Sequence, residues 1–383
     1  MPTIAWRSFC LNKRGMSPLK KDNHHEREPV RTKTSAFAVA TLLFMQICSV
    51  FSLASNEFQN TSPVISEVGQ SEDDGVSTGI LQATNPSTEK PRLAKGWAHT
   101  DFSKRDSLTP IDIIGFSRGH LSNHVAVVKT GDHNEANLDY RKDSQSGGIE
   151  VNYNKKPEQA AMIDAFQLTN KIHNYFADHL GIDALKQTLP ITLVVNSKKI
   201  KCNAQFEEGH IYFSAQDKTC DNAVDPSTVF HEYTHFVDSI IGGMSEPDLA
   251  EGLADMTAAF ISGNPTLTEV RNNKVVVVRS VENEIKFDYK KANSGDAKTQ
   301  YRQSQAWSGF AWHSRLALIE KYGPTKGQQM AEDLFFSPLS LNIKTIPEAV
   351  ENIFSQLNPS GSSKTVDYDL IKTMAQRHGF RVP

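Results

Sequence analysis

The segment 231–235, His-Glu-Tyr-Thr-His, contains residue types that bind and activate a metal ion. Residues four apart on a helix project from one face, so His231 and His235 can direct two imidazole nitrogens to a single point, with Glu232 beside it. The flanking positions are apolar nearly all the way round, which predicts a helix that is enclosed on several sides. The spacing therefore predicts a zinc site with a general base next to it.

A third metal ligand is predicted in the next helix. Gly242-Gly243 ends the first helix, and Pro247 permits another to begin near Asp248. Within it, Glu251 and Asp255 are four residues apart and share a face. If the two helices pack antiparallel, Glu251 completes the ligand set and Asp255 accepts a hydrogen bond from a ligating histidine. A fourth coordination position would remain for water.

At these residues the sequence resembles the gluzincin metallopeptidases, most closely the thermolysin and fungalysin group. The match consists of His-Glu-Tyr-x-His at 231–235 and Glu-Gly-x-Ala-Asp at 251–255. Upstream, residues 203–213 are similar to the strand pair that precedes the zinc helix of this group. Downstream, 278–280 resembles the segment whose arginine, here Arg279, contacts the substrate carbonyl.

The resemblance implies an α+β fold of the thermolysin type, with a small β-rich N-terminal lobe, a mainly helical C-terminal lobe and the zinc site between them. It implies Zn²⁺ as cofactor, a protein or peptide as substrate, and a secreted or surface endopeptidase that uses zinc-activated water with Glu232 as general base. An edge strand of the N-terminal lobe is expected to bind the substrate backbone. Asp217, Asp221 and Asp225 are candidates for a calcium site, although their spacing does not form an EF-hand loop.

Two departures from the family pattern leave questions open. The segment 305–309, Gln-Ala-Trp-Ser-Gly, resembles His-x-Asn-Ser-Gly with glutamine in place of the histidine that steadies the oxyanion. Glutamine donates a hydrogen bond but carries no positive charge, so Gln305, Tyr301 and His313 are all candidates for this catalytic role. The interval between the second histidine and the third ligand is also shorter than usual, so the connection between the two helices must be tight.

Two other functional classes also fit the motif. One is a zinc exopeptidase, an aminopeptidase of the same clan, which would need a site for the free amino group of its substrate. The sequence has no obvious Gly-x-Met-Glu-Asn element of that kind. The other is a catalytically inactive zinc-binding or adhesion module, in which the missing histidine reflects lost catalysis. Glu232 favours an enzyme, because a structural zinc site does not require it.

The composition and the N-terminal segment indicate export. The chain has 383 residues, 38% hydrophobic content and a formal charge of −3, which suits a globular core and gives no sign of a nucleic-acid partner.

Residues 1–55 are predicted to be a basic leader followed by a signal peptide or signal anchor, because eight basic residues precede an apolar run at 36–54. Cleavage after Ala54, membrane attachment through 36–54 and translation from Met16 are the alternatives.

The rest of the chain divides into three parts. Residues 56–96 are predicted to be a disordered linker or pro-segment, since they are polar and show no period. Residues 97–225 form the predicted β-rich lobe and 226–383 the helical lobe. Helices are expected at 158–180, 307–322, 325–336, 346–357 and 366–378, further strands at 189–195 and 274–281, and polar loops at 132–148 and from 281 to 303.

Cys202 and Cys220 are the only cysteines beyond the apolar run, and they bracket a short predicted hairpin. In an exported chain such a pair is expected to form a disulfide, which would contribute about 3 kcal/mol to stability. His120 and His124 are also four apart, but the Gly and Ser-Asn residues around them argue against a helix and hence against a second metal site.

Overall fold

The computed structural model describes residues 94–102, 107–131, 133–143, 148–271, 274–292, 294–359 and 365–382, all of which belong to one unit. The predictions for the leader, the apolar run and the linker up to residue 93 lie outside these residues. No helix within the described ranges has both the length and the apolar content needed to cross a bilayer.

The N-terminal lobe contains two main sheets. Its strands are β1 (Ala94–Ala98), β2 (Thr109–Ile113), β3 (Phe116–Ser117), β4 (His120–Leu121), β5 (Ala126–Thr130), β6 (Asn134–Glu135), β7 (Tyr140–Lys142), β8 (Ile149–Val151), β9 (Ile191–Ser197), β10 (Ala204–Glu207) and β11 (His210–Ser214). One sheet has the order β2-β1-β8-β7 and the other β10-β11-β9-β5-β6, while β3 and β4 pair with each other. The prediction of one polar loop over 132–148 is wrong, because two short strands, β6 and β7, lie within it.

One helix connects both sheets to the C-terminal lobe. Helix α1 (Pro157–Asn174) continues as a π-helical turn over Tyr175–His179, in agreement with the predicted helix. It packs against β1, β5 and β9 on one side and against the helix that carries the two predicted metal-binding histidines on the other. Gly181 follows in the left-handed region, with φ of 69°, and ends the segment.

The C-terminal lobe is mainly helical, as expected. Its helices are α2 (Pro226–Gly242), α3 (Pro247–Ser262), α4 (Ala297–Tyr322), α5 (Pro324–Phe335), α6 (Ser337–Ser340), α7 (Ile346–Leu357) and α8 (Tyr368–Arg377). Between α3 and α4 lies a hairpin of β12 (Thr266–Arg271) and β13 (Lys274–Ser280). The sequence predicted the second strand of this hairpin but not the first.

The longest helix begins earlier than predicted. Asp296 caps α4 by accepting a hydrogen bond from the Thr299 backbone N–H at 2.9 Å, so the helix starts ten residues before Trp307. The predicted polar loop to residue 303 is therefore too long. Because the helix begins at Ala297, Tyr301 and Gln305 both lie on it, one turn apart.

The contact between α3 and α4 requires glycine. A Cβ atom at Gly252 would lie 2.8 Å from Cδ1 of Trp307, whose side chain is fully buried. The absence of a side chain at this position lets the two helices approach closely. Since Gly252 directly follows Glu251, this close approach also sets how the third predicted ligand is presented.

Candidate metal centre and catalytic cleft

The helix α2 is fixed at both ends. Asp225 caps its N-terminus, because its Oδ1 accepts hydrogen bonds from the backbone N–H groups of Ser227 and Thr228 at 3.0 and 3.2 Å. At the other end, Gly243 adopts a positive φ of 90°. Residues 229–238 are buried throughout, as the apolar flanks predicted. The helix is therefore a rigid support for the two histidines.

A tight connection turns the chain back from α2 into α3. Only four residues separate the helices, and Asp238 in α2 holds them by accepting hydrogen bonds from the Ser245 backbone N–H at 2.7 Å and from its hydroxyl at 2.9 Å. Lys344 donates its Nζ to the carbonyl oxygens of Gly242 and Gly243. These contacts account for the short interval between His235 and Glu251, and no motif in the sequence indicated them.

The three predicted ligand side chains converge. His231 Nε2 lies 3.2 Å from His235 Nε2 and 3.3 Å from an oxygen of Glu251, and His235 Nε2 lies 3.7 Å from the other oxygen. Tetrahedral zinc bound at about 2.0–2.1 Å separates its ligand atoms by roughly 3.3 Å. The residues present therefore fit a zinc ion. Glu251 Oε2 is a buried oxygen with no hydrogen-bond partner among the residues that the structure describes, as suits an atom that binds a metal.

Asp255 lies behind the first histidine. Its Oδ1 is 2.9 Å from His231 Nδ1, and its two oxygens accept hydrogen bonds from Arg279 Nε and Nη2, both at 2.7 Å. This contact makes Nδ1 the protonated nitrogen of His231 and leaves Nε2 for the metal. The nearby guanidinium keeps the pKa of Asp255 well below its usual range, even though burial alone would raise it.

The two histidines have different electrostatic surroundings. Burial alone would lower the pKa of His231, but Asp255 and Glu251 outweigh it and raise this pKa to about 10. Burial lowers the pKa of His235 to about 4, and the charge of His231 acts in the same direction. Nδ1 of His235 has no hydrogen-bond partner among the described groups. His235 is therefore predisposed to be neutral, as a metal ligand must be.

Glu232 connects α2 to β10, the edge strand of the five-stranded sheet. One of its oxygens, Oε2, accepts a hydrogen bond of 2.7 Å from the backbone N–H of Phe206 in β10. Burial raises the pKa of the Glu232 carboxyl above its ordinary value. The motif predicted that Glu232 lies beside the metal ligands. Its contact with β10 could not be predicted from the motif.

His231, His235 and Glu251 line a cleft with a volume of about 240 Å³. Its walls come from β10, from the start of α2, from the turn between α2 and α3, from the hairpin and from the first turns of α4. Arg279 and Tyr301 both line it, and the guanidinium carbon of Arg279 lies 5.6 Å from the centre of the Tyr301 ring. The Glu251 carboxylate and then burial raise the pKa of Tyr301, so its hydroxyl stays protonated.

The other two candidates for the oxyanion role lie away from the cavity wall. Gln305 donates its side-chain amide to the carbonyl oxygen of Tyr301 at 2.9 Å, within its own helix. His313 is buried, and its Nδ1 lies 2.8 Å from Nε2 of His378, the residue that follows α8. Of the three, the structure therefore brings only Tyr301 into the wall of the cleft.

The predicted disulfide is confirmed: Cys202 and Cys220 are bonded, and both line the cleft. This disulfide joins the segment just before β10 to the loop just before α2. Asp217 lies beside the two sulfur atoms, but bonded cysteines have no thiolate to bind a metal. Asp217, Asp221 and Asp225 do not converge into a metal cluster within the described part of the chain.

The remaining histidines have structural contacts. His120 lies 3.1 Å from the Ala136 carbonyl oxygen, while His124 stacks edge-on against His173. Neither belongs to a metal-binding cluster among the residues that the structure describes. His173 Nδ1 lies 2.8 Å from the Tyr233 hydroxyl and so joins α1 to α2, a contact that the sequence did not predict.

Comparison with known proteins agrees with this geometry. Residues 111–239 match the family described as thermolysin metallopeptidase, catalytic domain. The fold is similar to that of the precursor of protealysin, a metalloproteinase from Serratia proteamaculans, with a TM-score of 0.50 and 11% identity over 78% of this chain and 90% of that one. At this identity the structural likeness concerns the fold. No curated protein sequence matches the chain.

The fold is thermolysin-like, with a β-rich N-terminal lobe and a helical C-terminal lobe, and the family match supports a gluzincin of the thermolysin group. The resemblance seen in the sequence is therefore confirmed. These findings support a zinc metalloendopeptidase, a hydrolase that acts on proteins or peptides. The family is zinc-dependent, and the His-His-Glu cluster is a set of residues that can bind the metal.

Proposed function

We propose that this protein is an exported endopeptidase in which His231, His235 and Glu251 bind zinc and Glu232 is the general base. The observation that carries the proposal is the position of Glu232, whose carboxylate lines the same cleft as the three ligands and contacts the edge strand above them. A zinc site with a purely structural role would not require a carboxylate there.

Bound zinc would supply a Lewis acid and would lower the pKa of a water molecule, so that a nucleophile is available near neutral pH. Glu232 accepts the proton of the attacking water and later delivers it to the leaving amine. The Phe206 N–H holds one carboxylate oxygen in place, which orients the other for proton transfer. Loss of this carboxylate should therefore stop turnover without removing a metal ligand.

We assign the stabilisation of the developing oxyanion to Arg279 and Tyr301. Arg279 has five N–H donors, and Asp255 accepts hydrogen bonds from two of them, which fixes the guanidinium at the cleft. Tyr301 supplies a neutral hydroxyl donor from α4. Hydrogen-bond donors that are already in place where negative charge develops stabilise the transition state most effectively. Gln305 is then assigned a contact within α4 and no catalytic role.

The proposed export is supported by the Cys202–Cys220 disulfide, because such bonds persist in oxidising compartments. The basic leader and the apolar run at 36–54 support it from the sequence. Sequencing of the N-terminus after expression of the full chain tests this point. Release beginning at Ser55 supports a cleaved signal peptide, whereas full-length protein in the membrane fraction supports an anchor.

The catalytic proposal is tested with quenched peptides and three proteins: the wild type, Glu232→Gln and Glu320→Gln as a control at an exposed glutamate of α4. Wild type and control should cleave internal bonds, lose activity with a chelator and regain it with zinc. Glu232→Gln should bind one zinc ion and be at least about 10³-fold slower. Stepwise release of N-terminal residues would favour an aminopeptidase, and zinc binding without cleavage would favour an inactive module.

A further inference from the structure

The hairpin beside the cleft exposes an unusual run of apolar side chains. Val275, Val276, Val277 and Val278, which we call the valine patch, have exposed fractions of 44%, 37%, 56% and 38%. They are consecutive residues of one strand, β13. Soluble proteins rarely leave a flat apolar strand exposed at the edge of a sheet, because such a strand pairs readily with other chains.

The two strands of the hairpin have different environments. β12 packs on α2 and α3, and Leu267 within it is almost completely buried. Ser227 at the start of α2 binds the backbone of Thr268, donating its hydroxyl to the carbonyl at 3.3 Å and accepting the N–H at 3.1 Å. β13 is the outer strand and, within the described residues, pairs only with β12. One edge of β13 is thus left for another strand.

The valine patch is continuous with the wall of the cleft. Val278 and Arg279 line the cleft from β13, and Leu267, Thr268 and Glu269 line it from β12. The pairing shifts at this point, because Leu267 lies opposite Arg279 whereas Thr268 lies opposite Val277, so Val278 is an extra residue in a β-bulge. Bulges of this kind redirect side chains near active sites. Beyond the bulge, the strand leads away from the cleft.

We propose that the valine patch is a docking strand for an extended apolar segment of the protein substrate, next to the segment held in the cleft. This proposal rests on the proposed endopeptidase function. The backbone of the substrate segment would add to the free edge of β13, and its apolar side chains would cover the valines. Four strand residues span about 13 Å, so roughly four substrate residues outside the cleft would be bound.

Kinetics with matched peptides test the proposal. One quenched peptide fills only the cleft, and longer versions carry six added residues at either end, either alternating Val and Thr or alternating Ser and Gly. In the wild type, a Val/Thr extension at one end should raise kcat/KM about tenfold over the short peptide, whereas Ser/Gly extensions should have little effect.

The variant is Val276→Thr combined with Val277→Thr, which keeps the β-branched shape while making two valines polar. It should cleave the short peptide at the wild-type rate and lose the tenfold gain from the apolar extension. The control Val366→Thr, at a valine exposed elsewhere on the lobe, should retain the gain. An equal loss on short and long peptides would overturn the proposal and indicate that the hairpin only positions Arg279.

Two further outcomes would also overturn it. No difference between short and extended peptides in the wild type would mean that nothing docks outside the cleft. A wild type that is dimeric by sedimentation, together with a monomeric variant, would mean that the patch binds a second copy of the chain.

Failure of catalysis itself is distinguished by a binding measurement. The affinity of Glu232→Gln for a labelled Val/Thr-extended peptide, compared with the short one, detects docking without turnover. Tighter binding of the extended peptide, lost in the valine variant, would support docking even if the wild type cleaved neither. Equal binding of both would overturn it.

Discussion

Asp238 accepts two hydrogen bonds from Ser245 across the connection between α2 and α3, one from the backbone N–H and one from the hydroxyl. Asp238 lies one helical turn beyond His235, and Ser245 precedes Glu251 by six residues. The pair therefore joins the element that carries two ligands to the element that carries the third. We infer that it holds the three ligand atoms at the separations that suit a zinc ion.

Replacement of Asp238 by alanine should weaken zinc binding by about tenfold, since supporting contacts of metal ligands commonly contribute one to two orders of magnitude. The affinity is measured by competition with a chromogenic chelator. The visible spectrum of the cobalt-substituted protein should change as well, because the ligand geometry changes. Asp333→Ala, at an exposed position of α5, is the control. Unchanged affinity and spectrum in Asp238→Ala would contradict this role.

The connection also shows what the sequence could and could not predict. Local sequence predicted the two helices, because glycine and proline mark their ends. It also predicted which side chains face the metal, because residues four apart on a helix project from the same face. Lys344 closes the turn from about 100 residues further along the chain. Contacts at that separation depend on how whole elements pack, and no local pattern encodes them.

Asp255→Asn should lower zinc affinity by about 10- to 100-fold, because the amide cannot accept the His231 N–H and bind Arg279 with equal strength. Turnover with saturating zinc should also fall, since Arg279 loses its charged partner. Isothermal titration and kinetics at high zinc separate the two effects. An affinity equal to that of the wild type would show that His231 is oriented by the helix alone.

Tyr301→Phe should reduce kcat by about 10²-fold with little change in KM, because it removes one donor to the developing oxyanion. Gln305→Ala should leave kcat within about twofold, since that side chain is bonded to its own helix. Steady-state kinetics on one short peptide compares the two. A larger loss of kcat in Gln305→Ala than in Tyr301→Phe would assign stabilisation of the oxyanion to Gln305, the position that resembles the family histidine.

The choice between Tyr301 and Gln305 could not be made from the sequence. They are four residues apart on the same helix face, so about 6 Å along the axis of α4 decides which one reaches the cleft. The position of α4 along its axis depends on the close contact of Gly252 with Trp307 and on the cap at Asp296, where the helix starts. The sequence predicted a helix start at Trp307, which left both Tyr301 and Gln305 outside the helix.

His378 gives a prediction for stability in acid. It is fully buried, with Nδ1 2.9 Å from the Ile285 carbonyl oxygen and Nε2 facing His313. Burial lowers the pKa of His378 to about 4. The unfolded chain takes up this proton as the pH falls through about 6.5, whereas the folded protein takes it up only near 4. The free energy of unfolding should therefore decrease between these values, by no more than about 3 kcal/mol from this residue.

Urea denaturation from pH 7.5 to pH 4 measures this effect. His378→Gln should be less stable than the wild type at pH 7.5, because it loses the contact with His313, but its stability should fall less steeply towards pH 4. His120→Gln, in the N-terminal lobe and without contact to this pair, should keep the slope of the wild type. Loss of bound zinc in acid affects all three proteins, so the difference between them isolates His378. Parallel curves for His378→Gln and the wild type would contradict the prediction.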